Sequence, residues 1–98
     1  MARFDVYKSR SAKHYLLDCQ ADLLSHFATR LVVPLVPDGI AETTTRLHPV
    51  FTIDGKRLIM ATQLASAVDV REMGERVASL SEHHDVIMNA LDMLISGF

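Results

Sequence analysis

Pro49-Val50-Phe51-Thr52-Ile53-Asp54-Gly55-Lys56-Arg57-Leu58-Ile59-Met60-Ala61 is the stretch that sets the class of fold. Two runs rich in strand-forming residues flank Asp54-Gly55, the residue pair preferred in a two-residue type I′ turn, where both central positions need a positive φ. The spacing predicts a tight antiparallel hairpin over residues 49–61.

Towards the N-terminus the pattern is again strand-like. Leu31 to Val36 is a continuous apolar run and reads as the central strand, with Pro34 marking a bulge or an edge because it has no N–H to donate. Pro37-Asp38-Gly39 reads as a turn. Phe4-Asp5-Val6-Tyr7 alternates as a half-buried strand does, and His14 to Cys19 reads as its hairpin partner across the polar loop Lys8 to Lys13. Ala21 to Phe27 fits either a short helical turn or a loop with its apolar residues exposed. Beyond the hairpin, Val68 to Met73 is irregular, with room for one more short strand.

The chain ends in a helical pattern. Ser79 and Glu82 have the spacing of a capping box, with Ser81 an alternative cap. Val86, Ile87, Ala90, Leu91, Met93 and Leu94 form a wide apolar face, and Asp85, Asn89, Asp92 and Ser96 share the opposite one. Gly97 stands where a C-cap glycine belongs, so this surface helix leads its polar stripe towards Phe98.

Composition narrows the function classes. The 98 residues predict one domain over 1–98, and a hydrophobic fraction of 49% with seven Gly plus Pro positions is globular. The net charge of −2 argues against direct nucleic-acid binding, and Lys8, Arg10 and Lys13, the only approach to a basic cluster, read as a solvated loop. The single Cys19 has no disulfide partner, no apolar run reaches membrane-spanning length, and the N-terminus has no signal-peptide core. A cytoplasmic protein is expected. Adjacent His83 and His84 point about 100° apart on a helix and cannot share an ion; they read as surface residues, and His14, His26 and His48 lack ligand spacing. The glycines, Gly39, Gly55, Gly74 and Gly97, form neither a phosphate loop nor a nucleophile elbow. No metal, cofactor or catalytic residue is expected, and the chain reads as no enzyme.

An ordered set of short runs resembles the CcdB family, toxins of bacterial toxin–antitoxin modules that poison DNA gyrase. The runs are Phe4-x-Val6-Tyr7, Asp18-x-Gln20-x-Asp22-Leu23-Leu24, Arg30 to Leu35, Leu47-x-Pro49 into Phe51-x-Ile53, Ala65-Ser66, Leu80-Ser81, and Ala90-Leu91-x-x-Leu94-Ile95-Ser96-Gly97-Phe98. The resemblance implies a mainly β α+β fold: a five-stranded antiparallel sheet, a small second sheet and a C-terminal helix, in a CcdB/MazF-like, SH3-like barrel. It implies a homodimer whose C-terminal tips meet the gyrase A subunit and trap the DNA-cleaved complex. It also implies a CcdA-like antitoxin as partner, DNA bound only through that complex, transcription autoregulation and a part in plasmid maintenance. By position, the gyrase contacts are Ser96, Gly97 and Phe98, then Asp92 and Ile95, then Ala21, Leu23 and Leu24. Ser96 and Phe98 depart from the family, whose best-known member ends in Trp-Gly-Ile. A degenerate dimer that binds only antitoxin, or an endoribonuclease toxin of the MazF type, is the alternative.

Overall fold

The computed structural model describes residues 2–37 and 46–97. The Asp38-Gly39 part of the expected turn and Phe98 lie outside the described residues. In chain order the elements are β1 (Asp5–Ser9), β2 (Tyr15–Asp18), β3 (Thr29–Pro37), β4 (Val50–Ile53), β5 (Lys56–Met60), β6 (Ser66–Asp69), β7 (Met73–Ser79) and α1 (His84–Ser96). Single 3₁₀ turns cover Asp22–Leu24, Thr62–Leu64, Val70–Glu72 and Ser81–His83.

The hairpin forms as the sequence dictates: Ile53 pairs with Lys56, and Asp54 and Gly55 take φ values of 52° and 76°. The mainly β antiparallel architecture with a C-terminal helix is the one expected. Strands run in the order β4-β5-β3-β2-β1-β7, and β6 lies beside β3. β3 is central because it is long enough to hold β2 on one edge and two partners on the other. Those partners are β6 over Thr29 to Val32 and β5 over Leu35 to Pro37. Pro34 stands between them, where the ladder makes no demand on its missing N–H, and its carbonyl still accepts from Ala61 N at 2.9 Å.

Both faces of the central strands are covered, which corrects the half-buried reading of Phe4 to Tyr7: all four are buried. On one face Val6, Leu17, Val33, Leu35, Phe51, Leu58 and Met60 pack with Ile87, Ala90 and Leu91 of α1. On the other, Tyr7, Leu16, Val32 and Met73 form a second cluster closed by Val68. Side chains alternate across a strand, so neighbours such as Leu16 and Leu17 serve different clusters.

Near the C-terminal end the structure adds a strand that the pattern did not show and lacks the cap that it did. β7 was not legible, because register shifts between Val6 and Tyr7 and between Tyr7 and Ser9 break the two-residue period along β1–β7. The capping box does not form. The ladder holds Ser79 in β7, and Leu80 N continues the pairing to Phe4 O at 2.8 Å. A 3₁₀ turn therefore precedes α1, which begins at His84 without a side-chain cap. Both histidines there are exposed, as expected, and their rings also meet core aromatics. The His83 ring lies 5.1 Å from that of Phe51, and His84 stands edge-on 5.5 Å from Phe4. At the other end Gly97 is left-handed (φ 79°) and donates to Met93 O at 3.0 Å, the expected C-cap. The buried stripe of α1 is narrower than its sequence face: Ile87, Ala90 and Leu91 are buried, whereas Val86 and Leu94 are exposed. Among the described residues no helix is long and apolar enough to cross a membrane.

Candidate functional site

The connection between β1 and β2 folds into a cleft rather than an extended loop. Ser9 N donates to His14 O at 3.2 Å, and Ser9 Oγ accepts from Ala12 N at 3.2 Å, so one serine closes the loop twice. The cleft, of about 200 Å³, is lined by Lys8, Ser9, Ala12, Lys13, His14 and Tyr15. Lys8 and Lys13 are exposed, while His14, just before β2, and Tyr15, its first residue, are half-buried. Arg10 adds a third exposed cation to the loop. From outside, the entry to β7 holds it: Arg10 N donates to Glu72 O at 3.0 Å, Ser11 Oγ donates to Glu72 Oε2 at 2.5 Å, and Lys8 Nζ lies 3.9 Å from Glu75 Oε1.

Chemically the cleft combines cations suited to phosphate oxygens, an imidazole of the kind that carries protons in acid–base catalysis, and ring faces on which a base can stack. The sequence showed the Lys8, Arg10, Lys13 cluster, but the solvated-loop reading missed that the turn brings Lys8 and Lys13 into one cleft with His14. Among the described residues no group of His, Cys, Asp and Glu is placed to hold a metal ion.

Around Tyr7 of the smaller apolar cluster, four charged groups gather. Arg76 Nε lies 3.0 Å from Asp5 Oδ2, and Arg30 pairs with Asp18, both side chains wholly buried. Burial pushes the Tyr7 hydroxyl above its ordinary range, Asp5 and Asp18 push the same way, and Arg76 and Arg30 partly oppose them. This cluster orders the next connection. Asp18 Oδ1 accepts from Gln20 N at 3.1 Å, Gln20 Nε2 donates to Leu24 O at 2.8 Å, and Leu31 N donates to Gln20 Oε1 at 3.0 Å. Arg3 N also donates to Asp22 Oδ1 at 2.7 Å.

The residues singled out from sequence fall on two elements. Ala21, Leu23 and Leu24 lie on or beside the 3₁₀ turn so held, and Leu23 is 86% exposed. Asp92, Ile95, Ser96 and Gly97 form the end of α1, where Ile95 is 82% exposed and Ser96 Oγ donates back to Asp92 O at 2.7 Å. Among the described residues no hydrogen bond joins the two groups.

Two solved structures share this fold nearly end to end. One, described as an endoribonuclease from Mycobacterial species, is 17% identical with a TM-score of 0.77, covering 97% of this chain and 90% of its own. The other, an endoribonuclease in complex with its cognate antitoxin from Mycobacterial species, is 15% identical with a TM-score of 0.79, covering 97% of this chain and 94% of its own. Both neighbours are described as endoribonucleases, which stands against the expectation that the chain is no enzyme. That expectation rested on net charge and contiguous motifs, and neither measures a local cleft. A family model described as CcdB protein matches residues 3–97, from the residue before buried Phe4 to the C-cap of α1, and on that match the chain belongs to the CcdB family.

Proposed function

We propose that the protein is the toxin of a toxin–antitoxin pair and that it cleaves RNA at the β1–β2 cleft. The observation that carries this reading is the convergence of Lys8, Lys13 and His14 on one cleft in a chain whose net charge is −2. Lys8, Arg10 and Lys13 bind backbone phosphates, and His14 moves the proton in strand scission. The antitoxin-bound structure with the same fold supports a cognate antitoxin as partner, and a two-fold homodimer is the assembly we assign. The test is incubation of the purified chain with single-stranded RNA. Cleavage is expected, with loss of activity in His14→Ala and a binding slope of about −2 in log affinity against log salt from three phosphate contacts. Intact RNA, or full cleavage by His14→Ala, would sink this reading.

A second reading rests on a different observation, the exposure of Leu23 and Ile95. Large apolar side chains exposed on ordered elements fit a protein-binding surface. On this reading Ala21, Leu23, Leu24, Asp92, Ile95, Ser96, Gly97 and Phe98 contact the gyrase A subunit. Inducible expression separates the two: RNA fragments inhibited by His14→Ala mark the first, and gyrase-linked DNA breaks inhibited by Leu23→Ser with Ile95→Ser mark the second.

A further inference from the structure

Glu72 is half-buried on the 3₁₀ turn that leads into β7 and is not among the residues lining the cleft. It nevertheless holds the cleft's loop at two points. Its carboxylate accepts the Ser11 hydroxyl at 2.5 Å, and its carbonyl accepts Arg10 N at 3.0 Å. Ser11 and Glu72 are 61 positions apart in the chain, so this is a tertiary clamp rather than a local turn. The next residues close the approach: a Cβ on Gly74 would stand 2.6 Å from Lys8 O, so only glycine lets β7 come this near to the end of β1.

We propose that Glu72 is a positioning residue for the cleft, acting through Ser11 to hold the β1–β2 loop in the shape that gathers Lys8, Lys13 and His14. This rests on the reading of the cleft as the RNA site. A carboxylate accepting a hydroxyl makes a charge-assisted bond, stronger than a neutral one and directional enough to set a loop. Glutamine at position 72 keeps an acceptor oxygen, whereas alanine keeps only the backbone contact.

Steady-state RNA cleavage by Glu72→Ala, Glu72→Gln and Ser11→Ala tests the assignment, together with amide hydrogen exchange over residues 10–14. Glu72→Ala and Ser11→Ala are expected to raise KM about tenfold, the fold-change for one lost charge-assisted bond, with kcat within about twofold. Glu72→Gln is expected to stay within about threefold of the wild type in KM, because a neutral acceptor recovers most of the bond. An unchanged KM in Glu72→Ala, or equal damage in Glu72→Gln, would overturn the role. Tighter binding in both Glu72 variants would also overturn it, since it would mark Glu72 as a charge that competes with RNA. Ser11 is exposed, so its variant reports even if Glu72→Ala fails to fold. If the wild-type chain cleaves no RNA, the proposed function fails, and exchange then decides the clamp alone. Faster exchange at residues 10–14 in Ser11→Ala sustains it, and unchanged exchange overturns it.

Discussion

Replacing Asp18 with Asn should cost this protein about 3–5 kcal/mol, the range for breaking one side of a buried ion pair. The structure places the change at the severe end. Asp18 and Arg30 are both 0% exposed, and Nε and Nη1 of Arg30 have no hydrogen-bond partner among the described residues. The guanidinium therefore depends on a single carboxylate for both charge and hydrogen bonding. Asparagine preserves the shape and an oxygen for Gln20 N but leaves the positive charge uncompensated. A chain of this size has roughly 5–15 kcal/mol in total, so the variant sits near the edge of folding. Arg30→Met should be comparably costly, because it strands the carboxylate. The double variant Asp18→Leu with Arg30→Met should lie well above either single one, since an apolar replacement of the whole pair leaves no buried charge. Urea unfolding followed by circular dichroism measures all three. A cost below about 1 kcal/mol for Asp18→Asn, the value of an exposed pair, would refute the reasoning.

Gly97→Ala should lower stability by about 1–2 kcal/mol through backbone strain alone, because φ is 79° and a Cβ there meets nothing within 4 Å. A thermal melt reads it, and an unchanged midpoint would show that α1 ends in another way. Burial pushes the Cys19 thiol up to about 12 from 9.0. Raised in the fold, this group contributes stability that is fully present below the unfolded value and is lost as pH climbs towards the folded one. The loss should reach about 1.4 kcal/mol by pH 10. Cys19→Ala should flatten that part of the pH dependence of the urea midpoint, and the native thiol should resist alkylation at pH 8.

Much of the sheet was legible because its signals are local. Asp54-Gly55 can hardly do other than turn, the run Leu31 to Val36 has no polar side to present to water, and Gly97 ends a helix in the one conformation that suits it. What failed was non-local. β7 carries no alternation of its own and exists as a strand because bulged β1 offers it an edge. Ser79 and Glu82 matched a cap, but pairing of Leu80 with Phe4 took Ser79 into the sheet. The cleft failed for the same reason. Lys8, Arg10 and Lys13 were visible as a cluster, yet nothing nearby in sequence reveals that Glu72 and Gly74 draw the loop against β7.

The hairpin over residues 49–61, the central apolar strand, the amphipathic terminal helix and its glycine stop were all written in local sequence. Each follows from the side-chain period and allowed backbone angles of neighbouring residues. Which cations meet His14, how Asp18 and Arg30 come to share one buried site, and why Leu23 is held outward came from long-range packing. Those depend on contacts between residues far apart in the chain, whose energies are settled by burial and pairing that no local pattern encodes.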